Sequence, residues 1–362
     1  MRRRIMTQKR SLMTLLGLLV VLIASSQMAI AQATIAATDF TKVGLSGGQF
    51  LKIGVGARAT GMAGAHSAVA NDLSSVFWNP AGLATIKKYA ADFSQTFWFG
   101  GMSHNFAAAV IPISENYRMA ASFTNFTSGD IQVTTMDQQD GTGGIYQVSD
   151  VAIGLTFAGS LTEQFSFGVT AKYISMGFTN MSAGGLLFDV GTRYETGFEG
   201  IVLGFNISSL GSQMEYTGSD VARTNNPIDG INTLPVDMRL LTSPFDMPLS
   251  FRMGIGADLC KGALFEPEID ESGVLQHSLV TAVDFETFSD VAEQFAFGAE
   301  YTWKEFVSLR AGYRMGSDQF GFAGGVGIRY VSEDFSGRID YSINPTINLG
   351  LINRVSIALR FD

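Results

Sequence analysis

From about residue 90 to its end the chain alternates apolar and polar side chains, and no apolar run in that stretch is long enough for a membrane helix. In 163–175, Phe165, Phe167, Val169, Ala171 and Tyr173 share one face, and Ser166, Gly168, Thr170 and Lys172 share the other. The last residues repeat the pattern: Val355, Ile357, Leu359 and Phe361 alternate with Arg354, Ser356, Ala358 and Arg360. A period of two puts one face of a strand on an apolar phase and the other on a polar one. About fourteen such segments follow one another, near 90–100, 103–112, 116–126, 147–159, 163–176, 184–195, 198–209, 248–260, 275–287, 293–303, 305–315, 319–331, 334–343 and 350–362. Most have the length needed to cross a bilayer at a tilt, and an even count closes an antiparallel barrel with both ends on the periplasmic side.

A soluble β-sandwich also alternates, but its outer face is charged. Here the polar face is mostly Gly, Ser, Thr and Ala, and the apolar face is rich in aromatic residues. The whole chain holds 28 Phe and 41 Gly with only 16% charged residues. The expected fold is therefore an all-β membrane protein: an antiparallel transmembrane β-barrel of about 14 strands with a short helical plug at its N-terminal side. Connection lengths agree with that reading. The two longest gaps, 127–146 and 210–247, are both odd-numbered connections, which puts them at one end, the outside. The connection at 260–273 is longer than a periplasmic turn should be.

The first residues are of another kind. Arg2, Arg3, Arg4, Lys9 and Arg10 precede an uncharged apolar run from Leu12 to about Ala24, and small residues near Ala31 and Ala33 end it. This pattern is expected to be a secretory signal peptide over 1–33, too short in its apolar run for a comfortable span. Loss of its five cations takes the formal charge from −9 to −14. Such a chain lacks the basic footprint of a nucleic-acid binder. Cys260 is the only cysteine, so no intrachain disulfide and no thiolate metal cluster is expected.

Residues 34–88 do not alternate and are assigned to the plug, with the barrel over 89–362. Ala57, Gly61, Gly64, Ala65 and Ala68 lie at helical spacing, which predicts a short helix with a small-residue face. Asn71-Asp72 supplies a stop or a cap for the next short helix. Pro80 fixes a turn and Gly82 permits a positive φ. A segment this small cannot build its own core. The apolar turn FWNPAGLA at 77–84 is accordingly expected inside the barrel, with Trp78 wedged against its wall. By strand parity Arg252, Asp258, Asp284, Glu286, Glu300, Arg310, Arg314, Arg329, Arg338, Asp340, Arg354 and Arg360 point inward, because charges facing lipid cost a few kcal/mol each. Either they pair with each other and with the plug, or a pore solvates them.

The stretch FLKIGVGARATGMAGAHSAVANDLSSVFWNPAGLA resembles the N-terminal signature of the PorV/PorQ family of outer-membrane proteins, which is related to the FadL-type long-chain fatty-acid transporters. The matching positions are Phe50-Leu51, Gly56-Ala57-Arg58, Gly61-Met62, Gly64-Ala65, Asn71-Asp72 and Trp78-Asn79-Pro80-Ala81-Gly82-Leu83. The resemblance implies a fourteen-stranded barrel with an N-terminal hatch, in the outer membrane of a Gram-negative-type bacterium. It also implies one of two roles. The first is an accessory of type IX secretion that binds exported proteins carrying C-terminal sorting domains at the cell surface. The second is transport of long-chain fatty acids or other hydrophobic small molecules. For the first role the candidate surface is the loop bearing Met214, Tyr216, Ile228, Ile231, Leu234 and Leu240. For the second, the candidate ligand wall is Met62, Phe77, Trp78 and Leu83.

Nothing in the sequence points to catalysis or to a cofactor. Ser103 and His104 are adjacent on a strand and face opposite ways, so they form no nucleophile–base pair. HExxH, Walker A and CxxC motifs are absent. Strand glycines such as those of GFAGGVGIRY at 321–330 read as bends or close-packing positions. Asp137, Asp140 and Glu215, in the outer loops, read as solvated rather than metal-binding. The expected partners are outer-membrane lipid and the barrel-assembly machinery, which would read the aromatic-ended last strand at Phe361. Two outcomes are expected: the protein fractionates with the outer membrane and runs faster unboiled than boiled, and Phe361→Asp lowers the amount of the fast-running band without lowering synthesis. Recovery as a soluble periplasmic protein would refute the barrel.

Overall fold

A computed structural model describes residue 44 and residues 46–225, 236–260, 269, 275–332 and 335–361. Fourteen strands form the wall: β1 Tyr89–Phe97, β2 Ser103–Pro112, β3 Tyr117–Thr127, β4 Val148–Ser160, β5 Phe165–Phe178, β6 Met181–Glu195, β7 Val202–Gly211, β8 Ser250–Asp258, β9 His277–Phe288, β10 Val291–Trp303, β11 Val307–Met315, β12 Phe322–Val331, β13 Phe335–Pro345 and β14 Leu351–Phe361. Each pairs antiparallel with the next, and β14 returns to β1 in the register Tyr89↔Phe361 to Phe97↔Asn353, which closes the ring. Closure leaves no edge, the condition for strands in lipid. The long connections between β3 and β4 and between β7 and β8 lie at the same end, which we assign to the outside.

The faces follow the parity read from the sequence. Phe93, Phe123, Leu155, Val190, Ile255, Phe297, Ile328 and Ile357 are exposed on the outer surface. Ser94, Thr170, Asp189, Asp284, Glu300, Arg310 and Asp340 are buried on the inner one. No described helix is long and apolar enough to cross a membrane; the crossing is done by strands. The 260–273 connection falls largely outside the described residues, and segment 1–33, expected to be a signal peptide, falls wholly outside them.

The N-terminal segment enters at the outer end and descends through the lumen. Gly47 N–H donates to the Asp246 carbonyl at 2.9 Å, and the Gln49 and Lys52 side chains reach Asp290 at 2.8 and 2.7 Å. Below them come α1 (Ala57–Gly61), α2 (Ser75–Trp78) and a 3₁₀ turn over Pro80–Thr85. Helix α1 lies against β11 to β14, and the 3₁₀ turn lies against β4 to β6. Strands β5 and β12 are seven places apart in a ring of fourteen. The plug therefore reaches across the whole diameter.

Two expectations need correction. The small-residue helix is shorter than its spacing implied. It stops at Gly61, because Ala63 and Gly64 adopt φ of 56° and 88° and turn the chain. Gly82 is not in the left-handed region; it is glycine for lack of room, since a Cβ there would stand 2.5 Å from the Ala70 carbonyl oxygen. Trp78 is buried where plug and wall meet: it packs on Gly54 and Gly64, donates from Nε1 to the Val55 carbonyl at 2.9 Å, and has the guanidinium of the wall residue Arg252 over its ring. Asn79-Pro80 meets the wall as well.

Wall glycines make that meeting possible. A Cβ on Gly168 would lie 2.3 Å from the Pro80 carbonyl carbon, and one on Gly191 would lie 2.2 Å from Asn79 Oδ1. Gly204 faces the Ser67 carbonyl, and Gly298 and Gly312 face Met62, all under 3.0 Å. Gly324, in contrast, has nothing closer than 3.7 Å. Gly168→Ala should therefore cost about 1–3 kcal/mol by overpacking. It should lower the temperature at which the fast-running gel form is lost, and Gly324→Ala should not.

Candidate functional site

The inner face of β10 to β13 carries Glu300, Arg310, Arg338 and Asp340, and the plug brings Arg58 and Asp72 into their midst. Arg58 donates to Glu300 (2.7 Å from NH2 to Oε1) and to Asp72 (3.1 Å). It also donates to the Asn71 side chain. Arg310 bridges Glu300 and Asp340, and Arg338 bridges Asp340 (2.7 Å) and Asp72 (3.0 Å). Three cations and three carboxylates thus form one closed, neutral network shared by plug and wall. Asp72 also shapes the plug itself, for its Oδ1 accepts from the Ser74 backbone and hydroxyl, capping the turn that leads into α2. Burial would push the Asp72 carboxyl up, but His66 and the guanidinium groups of Arg338 and Arg58 outweigh it and hold it well below the usual carboxylate range.

A second set of contacts holds the rest of the plug. Arg252 pairs with Glu286 and lies over the rings of Phe77 and Trp78, 5.0 and 5.1 Å from their centroids. Arg314 donates twice to the Ala63 carbonyl, at 3.0 and 2.9 Å, and reaches Glu286 at 3.4 Å. Asp284 accepts from the backbone N–H groups of His66 and Ser67. Asn79 donates to the Ser67 and Thr192 carbonyls. Asn344 donates to the Thr60 carbonyl at 2.9 Å, and the Ser356 hydroxyl accepts from Ala57 N–H at 2.8 Å. Sequence reasoning does not single out these small polar wall residues. Their only signal is inward parity, which they share with many residues that touch nothing of the plug.

The candidate ligand wall does not surround one chamber. Met62 and Leu83 are fully buried and pack against wall glycines and the plug core. Trp78 borders a cavity of about 70 Å³ in the outer half of the lumen, together with Lys52, Trp98, Arg314, Ile352 and Arg354. Phe77 borders a smaller one on the opposite side, with Phe50, Leu51 and His104. Beside the 70 Å³ cavity the wall itself is interrupted. Strands β12 and β13 pair from Gly324↔Ile343 to Val331↔Ser336, and beyond that only the bridge Phe320↔Thr346 joins them. The interruption falls at Pro345, which has no N–H to give. An outward pocket of about 440 Å³, lined by Tyr313, Met315, Phe320, Phe322, Pro345 and Ile347, lies on it.

The candidate partner loop divides into two parts. Met214 and Tyr216 belong to a cap: Met214 is buried and exchanges backbone hydrogen bonds with Phe245, whose ring packs on that of Tyr216 at 5.4 Å. Leu240 and Leu241 are exposed, Leu241 at 99%. Ile228, Ile231 and Leu234 lie outside the described residues. Phe361 ends β14 on the lipid face. Among the described residues no three His, Cys, Asp or Glu side chains gather as a metal site.

The family model described as type IX secretion system protein PorV matches residues 37–261. The chain belongs to the PorV family. No curated protein matches the sequence. Among solved structures, the Ralstonia pickettii toluene transporter TbuX superposes with a TM-score of 0.51 at 12% identity, over 85% of this chain and 99% of that one. The P. putida toluene transporter TodX gives 0.51 at 11%, over 84% and 96%, and the CymD monoaromatic hydrocarbon channel 0.51 at 13%, over 85% and 97%. At these identities the likeness is one of fold alone.

For this PorV-family barrel the network predicts how its plug behaves. Arg58→Ala leaves Asp72 and Glu300 buried with less positive charge, a change that costs about 3–5 kcal/mol. In planar bilayers the wild type should conduct little, and Arg58→Ala should show more and larger openings. Equal conductance in the two would mean that the network does not hold the plug.

Proposed function

We propose that this chain serves type IX secretion as a closed, non-enzymatic barrel whose outer rim receives exported proteins. The observation that supports this most is the blocked lumen. A plug tied to opposite walls leaves no route for a polypeptide through the barrel, so work on exported proteins falls to the surface. The family membership names the secretion system. At the rim, Met136, Ile145, Leu240 and Leu241 are exposed, Met136 at 96% and Leu241 at 99%, on the connections rather than on the wall strands. Apolar side chains held in the open on structured loops mark contact surfaces. The cap residues Met214, Phe245 and Met247 fix the base of the longer loop and leave its distal ribbon, Ala222–Asn225 paired with Val236–Arg239, to project. Sorting domains at the C-termini of exported proteins are the partners this reading requires.

A second reading, passage of hydrophobic small molecules, is favoured by the interruption between β12 and β13. It joins an aromatic-lined cavity beside the plug to an apolar pocket on the outside, and the structural neighbours include toluene transporters.

Replacing 222–239 with a short Gly-Ser turn separates the two, because it leaves the Met214–Phe245 and Gly47–Asp246 joins in place. The secretion reading expects normal barrel assembly and a several-fold drop in surface attachment of sorting-domain proteins. If attachment is unchanged while Trp78→Ala abolishes fatty-acid binding, the transporter reading replaces it.

A further inference from the structure

Most arginines that the fold carries into the lumen meet a carboxylate or a set of carbonyls. Arg58, Arg310 and Arg338 share Asp72, Glu300 and Asp340, and Arg252 and Arg314 share Glu286. Arg118 is wrapped by the carbonyls of Ile86, Ser114, Glu115 and Tyr117. Arg354 is treated differently. It is 3% exposed, and its hydrogen-bond partners are neutral: Nε donates to Thr96 Oγ1 at 2.7 Å and NH1 to Asn344 Oδ1 at 3.4 Å. No carboxylate among the described residues comes within 4.0 Å of it.

Arg354 borders the cavity of about 70 Å³, and so do Lys52 and Arg314. Among the described residues no acidic side chain lines that cavity. Lys52 answers to Asp290, and Arg314 shares Glu286 with Arg252, so of the three cations on the cavity only Arg354 has no carboxylate of its own. The remaining walls, Ile53, Trp78, Trp98, Phe320 and Ile352 among them, offer that charge nothing. A buried charge without a partner is among the costliest things a fold can hold.

We propose that this cavity is an anion site that takes one monovalent anion of halide or carboxylate size on the Arg354 guanidinium. The single guanidinium with only neutral partners sets the valence. The volume sets the size, since a water's share is about 30 Å³ and the space is only about twice that. The donors are the free N–H groups of a rigid guanidinium fork, which favours short, charge-assisted bonds. Two sources offer this chemistry. One is a free halide or acetate. The other is the head of an alkyl carboxylate whose chain leaves through the interruption at Pro345 into the outer pocket lined by Met315, Phe320, Phe322 and Ile347. The site stands whether or not the barrel serves secretion.

The test uses the full chain in a non-ionic detergent, reading the midpoint of heat conversion from the fast to the slow gel form. Sodium chloride, acetate and octanoate are compared with sodium gluconate at equal ionic strength. A bound anion raises the midpoint saturably, by linkage to the folded state. Chloride and acetate should do so, gluconate should not, and Arg354→Gln should erase the difference. An octanoate effect that saturates at about tenfold lower concentration than acetate, the consequence of burying roughly two methylenes, assigns the carboxylate with its chain. Equal concentrations assign the free ion. If Arg354→Gln does not assemble, a crystal of the wild type in sodium bromide decides, with an anomalous peak expected on the guanidinium. Identical midpoints in all four salts, a salt difference that survives Arg354→Gln, or no bromide peak would overturn the proposal.

Discussion

Arg58 is buried in the lumen, where Glu300 from the wall and Asp72 from the plug meet its charge. That contact makes the plug part of the barrel. A guanidinium buried in such a lumen without carboxylates would cost several kcal/mol. With them it becomes a joint between two parts of the chain 242 residues apart. Each carboxylate in the network also answers to a second arginine, so moving any single ion breaks two pairs at once. Such networks add little net stability compared with an apolar core. Their effect is to make one arrangement far better than its neighbours.

Apolar packing works to the same end by subtraction. The plug is too short to own a core, and its cluster around Trp78 is completed by wall residues Ala90, Phe106, Ala108, Val110, Ala120 and Ala158. Where the plug backbone presses closest, the wall has no side chain at all: Gly168, Gly191, Gly204, Gly298 and Gly312 are spread over five strands and two opposite sides of the ring. Ion pairs set the register of the plug and glycines set its depth.

Strands are easily read from the sequence because lipid on one face and a polar lumen on the other enforce alternation along every strand. All fourteen spans were legible, and β2 runs over 103–112 by alternation and by structure alike. The inward charges were legible for the same reason. The plug was harder. Its signature identified the residues, but helical spacing overstated α1, since small residues there serve close approach to the wall and a left-handed turn at Ala63-Gly64 rather than a continuous helix face. Contacts such as Asn344 to Thr60 were not legible, because parity says that Asn344 faces inward and nothing local says what it will meet. The interruption at Pro345 had a local sign, the missing N–H, but its consequence depends on a neighbouring strand.

That interruption also constrains where on the barrel anything can happen. Backbone groups left without a ladder partner are not tolerated facing hydrocarbon; they persist only against protein or water. The lost pairing between β12 and β13 lies just below their outer connections, beside the cavity at Lys52, Arg314 and Arg354, where the lumen side is polar. The wall is therefore weakest next to the outer mouth, on the side where α1 is bound. The opposite side, where Asn79 and Pro80 lie on Gly191 and Gly168, has an unbroken ladder from β4 to β6. A partner protein seated on the rim and a small molecule passing through the wall would thus use the same third of the barrel's height, and both would find the plug already fixed beneath them.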